Sequence, residues 1–513
     1  MGIYLTGIDL GTTGAKAMIF DDDGCPLSGA YREYPCSYPK PGWVEQNPDL
    51  LVDATMEAIG QAVKDSGVRP QDIVSVSLSA QRCCGIFIDD REAILRPMIS
   101  WQDNRTEVEV QEIADLIEGA AYYEKTGFPN STTWLLSKIL WVRKNEPEVW
   151  EKTRRVVQMH DYFLRALGVD TYYVDHNDAG FFGIFNSTSG TWDKELLDLF
   201  EIPKDILPIP EKSGTLVGKV SAEAAGKCGL APGTPISVGA GDQSAGAVGA
   251  GIVQKGLVSI SLGTAGAVTA YLDKPFRDPA AKTMVTSHPI HGSWLLEGYQ
   301  AAAASVYRWY RDEFGGLELL EADRSGADFY DLMNAKVAAI PPGAKGLLVM
   351  PYFAGAATPR YNPAARGMVL GLTFAHDRFA VARAFMEGIS MDMRDMLNSM
   401  LNSGVDVSEA RILGGPTKSA VWNQIQADVY GIPVSSLKVA DATVLGAAIL
   451  GGVGAGVFAS IKEGAEKLVR LDQRYEPDAQ NIRIYDNLYG IYCRTYESLE
   501  NSAVFSELAS TQA

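Results

Sequence analysis

The sequence has few of the residues that bind structural metals, and it lacks long apolar runs. Its 513 residues include only five histidines and six cysteines, without CxxC, HExxH or another paired metal spacing; this argues against a zinc site. No segment reaches the ~18 consecutive apolar residues of a membrane-spanning helix, and no secretory leader pattern opens the chain. We therefore expect a cytoplasmic protein with reduced thiols and no membrane partner.

Clusters of lysine or arginine are also absent. Aspartate and glutamate together number 63 against 45 lysines and arginines, which gives a formal net charge of −18. Because nucleic acid is itself a polyanion, we do not expect it as a partner. Affinity for phosphate must instead be local, from backbone N–H groups, a few cations and a metal ion.

The most informative feature that is present is a repeat. IDLGTTGAKAMIFD at 8–21 recurs in altered form as ISLGTAGAVTAYLD at 260–273, and each copy has the pattern of a strand, an LGTxGA turn and a second strand. Backbone N–H groups at Gly11 and Gly263 and hydroxyl groups suit phosphate oxygens; the hydroxyls are those of Thr12, Thr13 and Thr264. A single Gly-Thr turn is usually an ordinary hairpin, but a repeat of this length predicts two phosphate turns that clamp one nucleotide.

The two copies differ in their charged residues. Asp9 and Lys16 of the first copy become Ser261 and Val268 in the second. A carboxylate beside a triphosphate normally holds Mg²⁺ through oxygen ligands and water, so Asp9 is the predicted metal-site residue. Lys16 is a candidate for meeting phosphate charge, although a side chain on the following strand can equally point away.

Strands and helices alternate along the chain, and 46% of the residues are hydrophobic, enough for two large cores. The first 80 residues predict a strand hairpin, a helix that begins at Asn47-Pro48 and a strand at 73–80, which together indicate a mixed α/β sheet. We expect 104–200 to be largely helical and 210–235 to connect elements outside the core.

The second half repeats this organisation after a glycine-rich bend, and we place the domain boundary near 245–255. Helices are expected at about 297–313 and 377–402. A strand at 410–415 and a helix that ends at Gly431 follow. Two similar halves joined by a bend favour hinge closure over a ligand.

Phosphoryl transfer needs a group that accepts the acceptor's proton, and the candidate is Asp242. It follows the strand in VGAGDQ, among glycines that leave room for a ligand, although an aspartate at such a bend often caps the next helix instead. Side chains at other strand ends and turns are candidates to hold the acceptor, each with a purely structural role as the alternative: Arg82, Asp103 and Gln243 by hydrogen bonds, and Trp101 as a flat apolar wall. Gly414-Gly415 would let adenine lie on bare backbone.

In their order, these motifs resemble those of the FGGY carbohydrate kinases, within the superfamily of sugar kinases, chaperones and actin. IDLGTTGAKAMIFD resembles the first phosphate motif, WQDNR a substrate-side motif, GAGDQSAGAVGAG the segment of the catalytic aspartate and SLGTAG the second phosphate motif. GWVEQNPDL, ILGGPTKSAVWNQIQADVYGIPV and DATVLGAAILGGVG resemble the segment before the first long helix, the adenosine-binding stretch and the closing helix. The resemblance runs from residue 6 to about 470.

The resemblance implies an α/β fold of two RNase H-like domains with a central cleft. These would be 1–248 with the sugar side and first phosphate turn, 249–480 with the adenosine side and second turn, and a C-terminal helix and tail at 481–513. It implies ATP and Mg²⁺ as cofactors and often a homodimer. It also implies Asp242 as base, Asp9 with Mg²⁺, Thr12, Thr13 and Thr264 at phosphates, and Gly414, Gly415 and Ser419 at the nucleotide.

The sequence departs from the family where the sugar is chosen. Arg82-Cys83 stands where xylulokinases usually have Met-His and glycerol kinases Arg-Glu, and Ala356-Ala357 replaces a common Glu-Arg. Leu135 stands where proline, serine or threonine is usual before Lys138. We expect an ATP-dependent kinase of a terminal hydroxyl on a ketopentose such as xylulose. Glycerol or another polyol, gluconate and autoinducer-type carbohydrates remain alternatives, as do a chaperone-like ATPase module and a non-catalytic sugar sensor.

Overall fold

The chain divides into two compact units, and neither is one continuous segment. The computed structural model describes residues 2–279, 281 and 283–511, so the predicted domain limits at residues 1 and 513 lie outside them. Within the described residues, the first unit comprises 2–253, 271–295 and 441–470, and the second comprises 254–270, 296–440 and 471–511.

The strands of the described residues are short except in the two large sheets. They are Tyr4–Leu10 (β1), Gly14–Asp21 (β2), Pro26–Glu33 (β3), Glu45–Gln46 (β4), Ile73–Ala80 (β5), Ile86–Ile88 (β6), Met98–Ile99 (β7), Arg155–Val157 (β8), Tyr173–Asp175 (β9), Phe185–Asn186 (β10), Thr191–Trp192 (β11), Ile209–Glu211 (β12), Leu216–Lys219 (β13), Pro235–Ser237 (β14), Ala240–Gly241 (β15), Gly256–Leu262 (β16), Gly266–Leu272 (β17), Met284–Ser287 (β18), Trp294–Gln300 (β19), Leu348–Met350 (β20), Met368–Leu370 (β21), Val407–Leu413 (β22), Val434–Leu437 (β23) and Leu471–Tyr475 (β24).

The helices of the described residues range from single turns to six or seven turns. They are Pro48–Ser66 (α1), Glu107–Leu116 (α2), Gly119–Thr126 (α3), Leu135–Asn145 (α4), Pro147–Lys152 (α5), Met159–Leu167 (α6), His176–Gly180 (α7), Lys194–Leu199 (α8), Ala222–Cys228 (α9), Asp242–Gly249 (α10), Ala304–Phe314 (α11), Gly316–Ser325 (α12), Phe329–Ala338 (α13), Arg378–Asn402 (α14), Ala420–Tyr430 (α15), Ala442–Gly454 (α16), Ile461–Leu468 (α17), Ala479–Asn501 (α18) and Val504–Ser510 (α19).

Two seven-stranded sheets organise the fold. The first has the order β13-β14-β5-β1-β2-β3, with β15 also paired to β5, and it lies within the first unit. The second has the order β18-β19-β17-β16-β22-β23-β24, and its strands β16, β22, β23 and β24 belong to the second unit. The predicted α/β class is confirmed.

The sequence repeat is a structural repeat with one difference in register. In each copy a hairpin, β1–β2 or β16–β17, is joined by a parallel strand, β5 or β22. Leu10 pairs with Ala15 across the first turn, whereas Leu262 pairs with Gly266 across the second. The second turn is therefore one residue tighter, although the sequences align without a gap.

The closing helix of the resemblance, α16, belongs to the first unit. It packs against α10 and against β1 and β5 of the first sheet. A Cβ atom at Gly249 would lie 1.8 Å from the Ala442 carbonyl oxygen, and one at Gly446 would lie 1.9 Å from that of Ala245. Only glycine permits this contact, so the small residues of this stretch fix how closely the helices pack.

Two local predictions are corrected by the structure. The helix expected at 297–313 begins only at Ala304, since the preceding residues form β19, a buried strand. The segment expected outside the core includes β13, which pairs with β14 in the first sheet. The region 104–200 is largely helical as predicted, with helices α2–α8 and the four short strands β8–β11 between them. Among the described residues, none of the helices combines the length and apolar character needed to cross a membrane.

Candidate active site

The predicted site residues of the first unit gather where three parallel strands end. Leu10 of β1 and Gly241 of β15 both pair with Ala80 of β5. The first phosphate turn follows β1, Arg82 follows β5, and Asp242 follows β15. Because the carboxyl ends of parallel strands lie at one edge of a sheet, this edge is the usual place for a ligand in an α/β fold.

The first phosphate turn is fixed by hydrogen bonds to its carbonyl groups. The Gly11 N–H donates to the Gly14 carbonyl at 3.0 Å. The Tyr34 hydroxyl donates to the Gly11 carbonyl at 2.6 Å, and the Gln46 amide donates to the Thr12 carbonyl at 2.9 Å. The Gly11 N–H predicted to meet phosphate is thus engaged within the turn, which leaves the hydroxyls of Thr12 and Thr13 as the predicted phosphate donors here.

The two threonines of this turn lie in different surroundings. Thr12 is half-buried, and its hydroxyl accepts a hydrogen bond from the indole Nε1 of Trp101 at 2.9 Å. Thr13 is exposed, with its hydroxyl 3.5 Å from that of Tyr31. The residue predicted as an apolar wall is thus bonded directly to the phosphate turn.

Asp9 lies on β1 immediately before the turn and is half-buried. Its Oδ1 accepts a hydrogen bond from the Ser79 hydroxyl at 2.6 Å. Burial raises the pKa of Asp9 to about 7, with the charges of Asp242 and Asp441 adding to that effect and Ser79 and Lys16 opposing it. A carboxylate held near other carboxylates has a strong electrostatic reason to bind a cation.

Lys16 lies directly across the hairpin from Asp9, and its Nζ is 2.6 Å from Oδ1 of Asp441. Both side chains are about one-third exposed. Asp441 precedes α16 and was not predicted as a site residue, although an acidic residue immediately before a helix of small residues is a visible signal. Lys16 therefore neutralises a carboxylate in this structure, while its phosphate contact stays a prediction.

Asp242 is the first residue of α10, and its side chain is 37% exposed. Its Oδ1 lies 2.9 Å from Nε of Arg82 and accepts the Gln243 N–H at 2.7 Å. The N-cap position itself is Gly241, so Asp242 does not act as the side-chain cap. One end of this carboxylate is oriented by the arginine, and the side chain reaches solvent.

Behind Arg82 lies a buried polar layer that the sequence analysis missed. A Cβ atom at Gly241 would lie 2.5 Å from Oδ1 of Asp178 and 2.6 Å from Oδ1 of Asn177. Asp178 is fully buried, and burial together with nearby carboxylates raises its pKa well above the usual value, opposed by Arg82. The Arg82 guanidinium stacks on the Phe181 ring at 4.2 Å. In the sequence, the segment HNDAGFF at 176–182 shows only closely spaced polar residues before two phenylalanines. That pattern does not by itself predict a contact with Arg82.

The cysteines after Arg82 are structural. Cys83 and Cys84 are buried, and burial raises the pKa of both thiols, to about 12 for Cys84. The buried Lys138 donates to the Cys83 carbonyl at 2.7 Å, and Gln158 accepts the Cys83 N–H at 2.6 Å. These contacts fix the backbone beside Arg82 without using a thiol.

Asp103, predicted to hold the acceptor, is fully buried instead. Its carboxylate accepts the Val44 N–H at 2.6 Å and lies 2.7 Å from Nη2 of Arg105. The Arg105 guanidinium also stacks on the Trp43 ring at 3.7 Å. The contacts with Val44 and with Nη2 of Arg105 are both to Oδ2, and Nε of Arg105 donates to Oδ1 at 2.9 Å. Because both carboxylate oxygens are engaged, we leave Asp103 out of the proposed substrate site.

The second phosphate turn lies at the start of α11. The N–H groups of Ala303 and Ala304 donate to the carbonyls of Thr264 and Gly263, each at 2.9 Å, and the Ser305 hydroxyl donates to the Thr264 carbonyl at 2.7 Å. As with Gly11 in the first turn, the Gly263 N–H is engaged within the turn, since it donates to the Ala265 carbonyl at 2.9 Å. The two turns share this arrangement, although their sequences after the turn differ in charge.

The second turn opens onto a cavity of about 630 Å³ within the second unit. This volume is in the range of small-molecule and cofactor sites. The lining includes four residues predicted at the nucleotide: Gly263, Thr264, Gly415 and Ser419. It also includes residues that were not predicted: Ser305, Arg308, Tyr330, Asn334 and Lys418. Arg308 and Lys418 supply positive charge, and Tyr330 supplies an aromatic face.

Ser419 and Gly415 line this cavity, whereas Gly414 is not among the lining residues and instead packs against Leu262. The Ser419 hydroxyl donates to Asn334 at 2.7 Å and caps α15 by accepting the Trp422 N–H at 3.2 Å. A Cβ atom at Gly415 would meet open space. Gly414 has a φ of 94°, and a Cβ atom there would lie 2.2 Å from the Leu262 carbonyl oxygen.

We expect Gly414→Ala to destabilise the second unit and to weaken nucleotide binding. The combination of φ 94° and ψ 178° costs about 1–3 kcal/mol for a residue with a side chain, and the contact with Leu262 adds to it because that residue leads into the phosphate turn. Gly404→Ala is the control for a positive φ without a steric contact, since Gly404 has a φ of 83° and nothing within 4 Å of its Cβ position. Urea unfolding that shows equal losses for both variants would contradict this account.

Comparison with known proteins agrees with this geometry. The N-terminal domain model of the FGGY family of carbohydrate kinases matches residues 4–249, and the C-terminal domain model matches 258–455. The chain is 31% identical over 494 residues to a xylulose kinase of Bacillus subtilis, covering 96% of each. It is 29% identical over 519 residues to a gluconokinase of the same species, covering 100% of this chain and 99% of the relative.

A solved structure extends the similarity to the fold. The crystal structure of xylulose kinase from Rhodospirillum rubrum superimposes with a TM-score of 0.87 at 28% sequence identity, over 98% of this chain and 100% of that one. The predicted two-domain α/β kinase fold is thereby confirmed. With both domain models matched in order along the chain, this protein belongs to the FGGY family of carbohydrate kinases.

Proposed function

We propose that this sugar kinase transfers the terminal phosphoryl group of ATP to a terminal hydroxyl of a small neutral sugar, with a ketopentose such as xylulose as the preferred acceptor. The observation that carries the proposal is the placement of Asp242. Its carboxylate emerges at the carboxyl end of the first sheet, partly exposed and oriented by Arg82. Relatives named xylulose kinase match the whole length of the chain.

Asp242 acts as the general base. One carboxylate oxygen accepts the proton of the acceptor hydroxyl as its oxygen forms a bond to phosphorus and the bond from phosphorus to the ADP oxygen breaks. Arg82, bonded to Asp242 at 2.9 Å, orients the carboxylate. Trp101 supplies a flat apolar face for the carbon chain, and Gln243 lies beside the base to bond a further hydroxyl.

The residues around the first turn fit a hydrated magnesium ion. Asp9 is a half-buried carboxylate close to the charges of Asp242 and Asp441, and Mg²⁺ binds one or two carboxylates and keeps several waters. Bound Mg²⁺ would offset the charge that develops on the departing oxygen. Asp9 would hold the ion directly or through water, and Lys16 would remain with Asp441.

The second turn and its cavity provide the nucleotide side. The Thr264 hydroxyl suits a phosphate oxygen, whereas the Gly263 N–H already donates to the Ala265 carbonyl at 2.9 Å. Arg308 and Lys418, which line the cavity, favour an anion. The open space at Gly415 and the aromatic Tyr330 suit a flat adenine ring. We therefore propose that 1–248 carries the sugar side and 249–480 the adenosine side, with the segments 271–295 and 441–470, which belong to the first unit, as exceptions.

Charge favours a neutral sugar over a sugar acid. The charge of Arg82 is already balanced by Asp242 at 2.9 Å, and Asp178 lies behind it. Asp441 is paired with Lys16 at 2.6 Å, so Asp9 is the nearby carboxylate that adds negative charge, and it does so above its raised pKa of about 7. A carboxylate such as that of gluconate would meet net repulsion here, so gluconate is the weaker candidate despite the gluconokinase among the relatives.

A substrate panel tests the proposal. ADP release would be measured with D-xylulose, D-ribulose, glycerol, D-gluconate and an autoinducer-type carbohydrate at equal concentrations. We expect the highest kcat/KM with a ketopentose and at least about tenfold less with gluconate, since one unfavourable buried charge contact costs more than 1.4 kcal/mol. ATP hydrolysis without sugar would favour a chaperone-like module. Sugar binding with no ADP release would favour a sensor.

We further propose that the kinase works in the cytoplasm as a homodimer without nucleic-acid partners. All six cysteines are free thiols, as in a reducing compartment. The net charge of −18 disfavours polyanions. Light scattering of the purified protein would give the oligomeric state directly, and a monomeric mass would remove the dimer from the proposal.

A further inference from the structure

Trp101 contacts the first phosphate turn through its polar edge. Its Nε1 donates to the Thr12 hydroxyl at 2.9 Å, while its ring packs beside the cluster that contains Phe181, on which Arg82 stacks. The indole therefore has two surfaces with different neighbours. One edge lies on the phosphate turn, and the ring lies on the side of the proposed sugar site.

A second connection joins the same two places. The Gln81 amide donates to the Gln46 side-chain oxygen at 2.9 Å, and the Gln46 amide donates to the Thr12 carbonyl at 2.9 Å. Gln81 and Gln46 are both buried, and Gln81 immediately precedes Arg82. Thr12 is thus held at its hydroxyl by Trp101 and at its carbonyl through the segment that carries Arg82.

The direction of the Trp101 bond determines what Thr12 can do. A hydroxyl has one proton to donate and two lone pairs that accept. Because the indole N–H can only donate, the Thr12 hydroxyl must accept from Trp101 and keeps its own proton for another acceptor. A phosphate oxygen on the open side of the turn is such an acceptor.

We propose that Trp101 is a positioning residue that couples sugar binding to nucleotide binding through Thr12. A sugar packed on the indole face stabilises the ring orientation in which Nε1 already donates to Thr12, and this bond keeps the Thr12 proton directed toward phosphate. Each ligand then raises affinity for the other by the same factor. This inference rests on the proposed function, since it requires the sugar to lie against Trp101.

The test separates the N–H from the ring. Trp101→Phe keeps an aromatic face but removes the donor, and Thr12→Val keeps the shape of threonine but removes the hydroxyl. Trp43→Phe is the matched control, because Trp43 stacks on Arg105 in the neighbouring network. Calorimetry would measure binding of a non-hydrolysable ATP analogue with and without D-xylulose, and of D-xylulose with and without the analogue.

For the wild type we expect each ligand to tighten the other by about 5- to 20-fold, within the usual range of coupling between sites. Trp101→Phe and Thr12→Val should each reduce this factor to below twofold, while the affinity of Trp101→Phe for sugar alone changes little. The double variant should lose no more than either single one, as expected for two groups in one interaction. Trp43→Phe should keep the wild-type factor.

Three results would overturn the inference. The first is an unchanged coupling factor between sugar and nucleotide in Trp101→Phe, and the second is additive losses of coupling in the double variant. The third is a loss of affinity confined to sugar binding, which would make Trp101 only an apolar wall. Failure of the proposed function looks different: the wild type would then not bind D-xylulose at all. In that case the coupling is judged in the same titrations with the sugar that the substrate panel selects.

Discussion

Asp242→Asn is expected to lower kcat by about 10²- to 10⁴-fold, the usual contribution of a general base. Asparagine has nearly the shape of aspartate, but its amide cannot accept the hydroxyl proton at neutral pH. The KM for ATP should change little, because the nucleotide cavity lies in the second unit. Steady-state rates of ADP release, compared with calorimetric binding of an ATP analogue, separate the two effects.

The local environment makes this variant easy to interpret. Asp242 is partly exposed, so the substitution leaves no buried cavity. Arg82 keeps its stacking on Phe181. Gln243→Ala is a suitable control, since it alters the neighbouring side chain without removing the base and should affect the KM for sugar more than kcat. More than a tenth of wild-type kcat in Asp242→Asn would exclude Asp242 as the base.

The sequence predicted the elements whose patterns are local. The hairpin of β1 and β2, the strand β5 and the helices α1, α14 and α15 follow from alternation, helical spacing and capping residues. For α15 the structure has Ser419 as the N-cap residue and Gly431 at the C-terminal end with a φ of 69°. Such signals depend only on residues that are close in the chain, so they can be recognised without knowledge of the fold.

Tertiary contacts decided the features that the sequence analysis missed. The sequence pattern predicts a helix where the structure has β19, because a short apolar run next to a helix does not distinguish the helical period from the strand period. The one-residue difference between the turns is invisible in an ungapped repeat, because it depends on how each strand pairs. The return of α16 to the first unit depends on glycines that meet α10 far away in sequence.

In the candidate site, too, local motifs predicted some residues, whereas others are recognised only from their tertiary contacts. Asp9, Asp242 and the turn residues could be predicted because they stand at strand ends within motifs, and their roles stay predictions. Asp178 and Asp441 were missed because their significance comes only from Arg82 and Lys16, which lie far from them in sequence. Asp103 is the opposite case, because its motif predicted a substrate contact that the structure does not support. Its carboxylate oxygens are bound by the Val44 N–H and by Arg105.

Asp9→Asn is expected to weaken divalent-metal binding by at least about 10- to 100-fold, as seen for side chains that hold or orient a metal, with a matching fall in kcat/KM at limiting Mg²⁺. The amide removes the charge but can still accept the Ser79 hydrogen bond, so the fold of β1 is preserved. Mn²⁺ titration followed by electron paramagnetic resonance measures the metal affinity without turnover. Asp441→Asn is the control, since Asp441 is already paired with Lys16 and should lose much less.

The pH dependence gives a second readout for the same residue. The pKa of Asp9 is raised to about 7, chiefly by burial, so below pH 7 a proton competes with the metal. Between pH 8 and pH 6 the Mn²⁺ affinity of the wild type should fall by roughly tenfold, and in Asp9→Asn this slope should disappear. Because an acid with a raised pKa favours the folded state only while protonated, the stability that it contributes is lost as the pH rises through about 7. Asp9→Asn should therefore have a higher Tm than the wild type in metal-free buffer at pH 8, and an unchanged metal affinity in that variant would place the ion elsewhere.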